Sequence, residues 1–180
     1  MRRKILIGLV VLLGVLLGLI VVAGVVGNFL APDFSGEARI ILNKPPEAIW
    51  AALNNHHKLP ISGEQCQRVE DLPPENGLAV WREDIGASIL TIRVVEAQAP
   101  SRMVRTAADS VVPMTIRSEI TLTPQDVGTE VRVRTNGRVD SGTWHAPFFR
   151  VILRLGAASA GPRNYLNSIA KDLGESAKAE

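Results

Sequence analysis

The chain has 180 residues, with 20 basic and 18 acidic side chains, so its formal net charge is +2. Three of the basic residues, Arg2, Arg3 and Lys4, precede a long apolar segment, and without them 17 basic side chains face 18 acidic ones, a net charge of −1. The composition therefore gives no support for a nucleic-acid partner. Cys66 is the only cysteine, which excludes an intrachain disulfide and a cysteine-rich metal site.

Residues 5–27 contain no charged, proline or strongly polar side chain. A helix of this length spans about 34 Å, enough for a hydrocarbon core of about 30 Å. We predict a transmembrane helix, because a cleaved signal peptide has an apolar region of only about 7–15 residues. The basic residues before it predict a cytoplasmic N-terminus at 1–4 and an extracytoplasmic remainder. Gly14 and Gly18 form a GxxxG pair that could join two anchors as a homodimer, although glycine is also common in such helices.

The remainder is predicted to form a linker at 28–36, one domain at 37–175 and a frayed tail at 176–180. Strict alternation of apolar and polar residues along 114–123 and 129–139 is typical of an antiparallel sheet with one buried and one solvated face. Gly161-Pro162 is expected to kink the last helix. The predicted elements are a strand at 37–42, a helix that opens at Pro45-Pro46, strands at 65–70, 78–83, 88–97, 102–107, 114–123 and 129–139, and a helix at 147–173.

Several short stretches resemble the START-like (SRPBCC) superfamily, which includes polyketide cyclase/dehydrase-like proteins, Bet v 1 allergens and lipid-transfer domains. The first is Pro46-Glu47-Ala48-Ile49-Trp50-Ala51-Ala52-Leu53, which is similar to the opening "PxExVWxxL" of these proteins. The resemblance continues at 94–97, 100–104, 128–131 and 165–175, and so covers nearly everything after Gly36. It implies an α+β helix-grip fold, in which a curved antiparallel sheet of six to seven strands surrounds a long C-terminal helix.

The same resemblance implies a protein that binds or transfers a hydrophobic small molecule or lipid, and the predicted anchor places it at a membrane. A cyclase- or dehydratase-type enzyme and a non-catalytic structural or interaction module with a filled core are the alternatives, because fold alone does not determine function. The expected cavity between the sheet and the last helix is lined by Leu90, Ile92, Val94, Ile116, Ile120, Val131, Val133, Phe148, Ile152 and Leu155.

Few side chains indicate catalysis, and no nucleotide-binding glycine loop, HExxH motif or GxSxG motif is present. Glu96 shares an alternating face with the apolar residues of its strand and is a weak candidate for a buried acid, with a solvated position at the sheet's end as the alternative. His145, beside Trp144 in a loop, is the other acid–base candidate. His56 and His57 are adjacent, so in regular structure they point apart, and no third ligand stands at a supportive spacing. We therefore predict no metal and no cofactor.

Overall fold

The computed structural model describes residues 2–180, with side chains from residue 7 onward. The side chains of Arg2, Arg3 and Lys4, on which the predicted orientation rests, lie outside this range. Helix α1 (Arg2–Phe29) includes one segment, Ile7–Phe29, that is long and apolar enough to cross a membrane. Its large apolar side chains are exposed on all sides, unlike those of a helix that packs one face on a core.

Seven strands form one antiparallel sheet in the order β1-β7-β6-β5-β4-β3-β2. Every strand is joined to its sequence neighbour except β1, which pairs with β7. The predicted α+β helix-grip architecture is confirmed. The elements after α1 are β1 (Asp33–Leu42), α2 (Pro46–Leu53), a 3₁₀ turn (Gly63–Gln65), β2 (Arg68–Glu75), β3 (Leu78–Asp84), β4 (Ile89–Gln98), β5 (Arg102–Asp109), β6 (Met114–Pro124), β7 (Thr129–Val139), α3 (Ala146–Ile152), a π-helical turn (Leu153–Ala157) and α4 (Ala158–Asp172).

The hydrophobic core lies between the inner face of the sheet and helices α2 and α4. Alternation along β6 and β7 turns Ile120 and Val131 inward, where they are buried with Leu166 and Ile169 of α4. Burying one side chain of this size contributes about 1.5–3 kcal/mol. Because the core joins the centre of the sheet to α4, these elements form the rigid part on which the surrounding loops are placed.

The long C-terminal helix breaks earlier than predicted. The irregular turn is Leu153–Ala157, where Gly156 adopts a φ of 112°, and α4 runs through Pro162. Pro162 is only the fifth residue of α4, so its missing amide affects a single carbonyl, that of Ala158. That carbonyl lies against Gly36 of β1, where a Cβ atom would come within 2.1 Å of the oxygen. The break leaves residues 148–155 on a different face from α4.

Both ends of the domain are more ordered than predicted. Only residues 30–32 separate α1 from β1, in place of a linker at 28–36. The C-terminal residues dock on edge strand β1, where Glu180 and Arg39 exchange backbone hydrogen bonds of 3.0 and 3.2 Å. The Ala179 amide also donates to the Asn167 side chain at 2.8 Å. The tail covers backbone groups that an edge strand otherwise leaves unpaired.

The second edge strand, β2, also extends beyond its prediction. It continues through Pro73 and Pro74 to Glu75, with an irregular register between Leu72 and Glu75. Proline is tolerated here because an edge strand has no partner for one side of its backbone. The turn is formed by Asn76-Gly77 alone, both with positive φ, as two-residue hairpin turns require.

Candidate binding groove

The residues predicted to line one apolar cavity do not share a single space. Five of them are at most 7% exposed and belong to the packed core, while Leu90 and Ile116 are half-buried. Leu166 and Ile169 of α4 occupy the volume that the cavity would have needed. Over the described residues, the interior between the sheet and α4 is filled. The five core residues are Ile92, Val94, Ile120, Val131 and Val133.

The three lining residues predicted from the last helix lie on the side of α1. Phe148 contacts α1, where a Cβ atom at Gly24 would stand 3.4 Å from its ring. Ile152 and Leu155 are 51% and 82% exposed. The break at Gly156 explains this placement, because residues before it do not continue the face that α4 turns to the sheet.

An open groove of about 1160 Å³ lies between the loop 57–65 and α4. Its loop side includes Leu59 and Ile61, and its helix side includes Tyr165. An ion pair of 2.5 Å between Lys58 Nζ and Asp172 Oδ1 joins the two sides. The remaining residues of the helix side are Gly161, Asn164, Asn167, Ser168 and Lys171. The groove is thus mixed in character, with apolar and polar groups on both walls.

Glu83 holds the loop side of the groove in place. This carboxylate is completely buried and accepts four hydrogen bonds. The Ile61 amide and Trp81 Nε1 donate to Oε1, each at 2.9 Å. The Ser62 amide and hydroxyl donate to Oε2 at 2.9 and 2.6 Å. A buried charge is costly unless hydrogen bonds compensate it, so this set of donors accounts for the position of Glu83 and defines the course of the loop.

Arg105 holds the helix side. Its guanidinium is 3% exposed and donates to the Tyr165 hydroxyl at 2.8 Å and to the Leu53 carbonyl. It also lies over the rings of Trp81 and Tyr165, at 5.6 and 5.7 Å from their centroids. Arg105 Nε also donates to Met103 Sδ at 3.0 Å. Among residues 7–180, no carboxylate lies within 4 Å of this cation, so carbonyl, hydroxyl, thioether and aromatic groups compensate its charge.

Tyr165 lines the groove, and Arg105 lies behind it. Because the Tyr165 oxygen accepts from Arg105, its own proton is available to another acceptor. Sequence reasoning missed both buried charges, although a signal existed. Glu83 stands two positions after Trp81, and Arg105 two positions after Met103, so each charge shares a face with a large apolar side chain.

Glu96 lies on the outer face of the sheet. The register passes from Val94 opposite Arg105 to Glu96 opposite Val104, so Val95 is an additional residue that reverses the alternation. Arg102 and Arg117 donate to the Glu96 carboxylate at 2.5 and 2.9 Å, and these hydrogen bonds, that of Arg102 above all, hold its pKa below the ordinary value. Glu96 therefore does not reach the groove.

His145 lies just before α3, and it is not among the residues that line the groove. Its ring contacts Trp144 and Phe149 edge to face, with centroids 5.4 and 6.0 Å away. Its Nε2 is buried and has no hydrogen-bond partner in the described part of the chain. The two weak acid–base candidates thus lie apart from each other and from the groove.

His56 and His57 are brought together, contrary to the expectation from their adjacency. Their Nε2 atoms lie 2.6 and 2.9 Å from the two carboxylate oxygens of Asp71 on β2. The residues between 54 and 59 form a turn, where the opposed side-chain directions of a strand or helix do not apply. Asp71 stands 14 residues after His57, so no local spacing pointed to it.

The sequence matches no known family model and no curated protein. Solved structures do share the fold. The aromatase/cyclase Zhui from Streptomyces sp. R1128 is 14% identical, with 78% of this chain and 93% of that chain covered and a TM-score of 0.61. A conserved protein from Geobacillus kaustophilus is 19% identical, with 81% and 99% covered and a TM-score of 0.61.

The di-domain aromatase/cyclase BexL is 14% identical at a TM-score of 0.59, and the match covers 81% of this chain. The chain spans about half of that protein, 52% of its length. Identities this low establish the fold and leave activity open. The chain therefore has the same helix-grip fold as these aromatase/cyclases. It carries one apolar helix before that domain.

Proposed function

We propose that the protein is a membrane-tethered helix-grip module that binds a hydrophobic small molecule or lipid with a polar end. The observation that carries this proposal is the groove between loop 57–65 and α4. Its volume of about 1160 Å³ is slightly above the roughly 300–1,000 Å³ of small-molecule sites, as expected of a groove that is open to solvent. The sequence predicted a hydrophobic ligand in an apolar cavity, but that interior is filled. The proposal therefore restricts the ligand to hydrophobic molecules that also have a polar end.

The two walls supply different contacts for such a ligand. Leu59 and Ile61 offer apolar surface, and Tyr165 offers a hydroxyl held by the buried Arg105. In this proposal a polar head group lies at the helix wall, which Asn164, Tyr165 and Lys171 line. Glu83 fixes the loop wall and the Lys58–Asp172 ion pair joins it to α4, so the groove is formed before the ligand arrives.

The anchor supports a location at the membrane surface. A Cβ atom at Gly27 would lie 2.1 Å from the Pro147 carbonyl oxygen, so only glycine permits this approach of α1 to α3. Trp144, next to α3, is 81% exposed, and tryptophan is enriched where membrane meets water. In this proposal α3 faces the bilayer beside the end of the anchor, with the domain on the extracytoplasmic side.

Ligand binding is tested by purifying the full chain in detergent and identifying co-purified molecules by mass spectrometry after organic extraction. We expect a consistent amphipathic species in the wild type. Ser168→Trp places an indole in the groove and should abolish co-purification. Ser110→Trp changes an exposed serine in the β5–β6 turn and should retain it. An empty wild-type protein, or a ligand retained by Ser168→Trp, would refute the proposal.

Orientation is tested with Cys66, the only thiol in the chain. A membrane-impermeant maleimide added to sealed, right-side-out membranes should label this half-exposed cysteine as fully as it does after detergent lysis. Labelling that requires lysis would place the domain in the cytoplasm and reverse the predicted topology.

The filled interior favours a second candidate, a structural or interaction module without a ligand. Gly14 and Gly18 would then pair two anchors, since neither has a neighbour within 4 Å in the single chain. Replacing both by Ile should abolish self-association in this case, and unchanged association would count against it. The cyclase-type alternative loses its proposed acids, because Glu96 and His145 both lie outside the groove.

A further inference from the structure

We propose that His56, His57 and Asp71 form a binding site for a divalent transition metal ion of the Zn²⁺ type. One ligand atom from each residue lies within 4.8 Å of the other two. Two imidazole nitrogens and one carboxylate oxygen are the donor set of an open zinc site, which leaves a fourth position for water or another ligand. The proposal does not depend on the groove binding a small molecule.

The fold places Asp71 by strand pairing. Asp71 on β2 stands directly opposite Trp81 on β3, and residues opposite each other in an antiparallel pair project to the same face. The Asp71 carboxylate therefore emerges beside the Trp81 indole, although β2 is an edge strand and Asp71 itself is exposed. This pairing brings the carboxylate to the loop that carries both histidines.

The imidazole of His56 is held by the same tryptophan. The two rings stack at 4.4 Å between centroids and 15° between planes. Trp81 is itself 1% exposed and donates its indole N–H to Glu83 at 2.9 Å. Glu83 holds the Trp81 indole, and this indole stacks on His56. These contacts therefore fix the orientation of the His56 imidazole, as outer-shell contacts orient the histidines of metal sites.

His57 is placed by the turn that follows α2. The amide of Leu59 donates to the Asn55 carbonyl at 2.8 Å, and Leu59 is buried, so both ends of the turn are held. The imidazole of His57 is exposed and borders the groove as well as a smaller cleft beside Cys66. A metal ion held here would therefore keep an open position towards accessible space.

Metal binding at these three residues needs no oxidant, reductant or other co-reactant. In the present arrangement each imidazole Nε2 is within hydrogen-bond reach of an Asp71 oxygen, and the metal would replace these two hydrogen bonds by metal–nitrogen and metal–oxygen bonds. A neutral imidazole keeps its proton by moving it to Nδ1.

Calorimetric titration of the full chain in detergent with Zn²⁺, after removal of metal by a chelator, tests the site. Co²⁺ absorption in the visible range is the second readout, because its intensity reports a low-coordinate site with bound nitrogen. We expect one Zn²⁺ per chain. His57→Ala and Asp71→Asn should each weaken binding by more than the roughly 10–100-fold that loss of an outer-shell partner costs.

Matched controls separate this site from adventitious histidine binding. His145→Gln removes the third histidine, and Glu70→Gln removes the exposed carboxylate beside Asp71, and both should bind Zn²⁺ as the wild type does. Ser168→Trp should block the groove and leave Zn²⁺ binding intact. Absence of saturable binding below millimolar Zn²⁺, less than tenfold weakening in either ligand variant, or loss of binding in His145→Gln would each overturn the proposal and leave a hydrogen-bonded His–Asp–His cluster.

Discussion

Removal of the buried carboxylate at Glu83 is the most direct test of how the groove is built. Glu83→Ala leaves four donors without their acceptor, three of them on the loop residues Ile61 and Ser62 and one on Trp81. One hydrogen bond to a charged group contributes about 1.5–3 kcal/mol. The four are not additive because they share one carboxylate, and water can reach Ser62 from the groove.

We therefore expect Glu83→Ala to lower the free energy of unfolding by about 3–5 kcal/mol, because a buried donor left without an acceptor costs about 1–3 kcal/mol. For a chain of this size that corresponds to a fall in Tm of roughly 6–20 °C. Glu83→Gln keeps the shape and one acceptor oxygen but turns an amide NH₂ towards two donors, so its cost should be smaller, about 1–3 kcal/mol.

The assay is thermal unfolding of the full chain in detergent, followed by tryptophan fluorescence so that the signal comes from the domain and not from α1. Glu64→Ala is the matched control, since Glu64 is an exposed glutamate on the same loop. Hydrogen exchange should also accelerate at the amides of Ile61 and Ser62 in both Glu83 variants. A fall in Tm below ~3 °C for Glu83→Ala, equal to that of the control, would show that the carboxylate does not hold the loop.

Three further predictions concern other contacts. Tyr165→Phe leaves a buried donor of Arg105 without an acceptor and should lower the free energy of unfolding by about 1–3 kcal/mol, measured by denaturant titration. Gly27→Leu forces α1 away from α3 and should cost about 1–3 kcal/mol by overpacking, measured by thermal unfolding in detergent. The pKa of Asp71, measured by NMR titration, should lie below its ordinary value and rise in His57→Ala. A lowered pKa stabilises the fold above the unfolded-state pKa, and this contribution is lost as the pH falls through the folded-state value.

Each of these predictions has a control and a contradicting result. Tyr165→Phe is compared with wild type at equal denaturant slope, and a change below ~0.5 kcal/mol would mean that water replaces the hydroxyl. Gly8→Leu is the control for Gly27, because nothing lies within 4 Å of Gly8, and equal effects of the two would argue against the α1–α3 contact. An Asp71 pKa that is unchanged by His57→Ala would show that the histidine does not donate to it in solution.

Much of the architecture follows from local patterns. The apolar run of 5–27, the alternation along 114–123 and 129–139 and the turn residues between strands each depend on a few neighbouring side chains, and the structure has the predicted seven-stranded sheet with a helix before and after it. Gly161-Pro162 did not predict the position of the helix break correctly, because the effect of a proline depends on how far it lies from the start of its helix.

The site depended on contacts that no local pattern contains. Glu96 turns outward because its pairing with Val104 makes Val95 an additional residue, and that register is set by the neighbouring strand. Asp71 meets the two histidines because β2 pairs with β3, so the carboxylate and Trp81 stand opposite each other. Short-range side-chain periodicity cannot encode either relationship, because both arise only when distant segments align.

The sequence by itself thus determined the apolar helix at residues 5–27, the succession of strands along the chain and the face of the sheet that packs on the last helix. Tertiary structure alone decided that α4 fills the interior, that the open space lies under loop 57–65, and that the charges of Glu83 and Arg105 are buried around Trp81. The physical reason is that the buried face of each segment is written in its own apolar periodicity. A cavity, by contrast, is the volume that remains after all segments have packed. That volume depends on every contact at once.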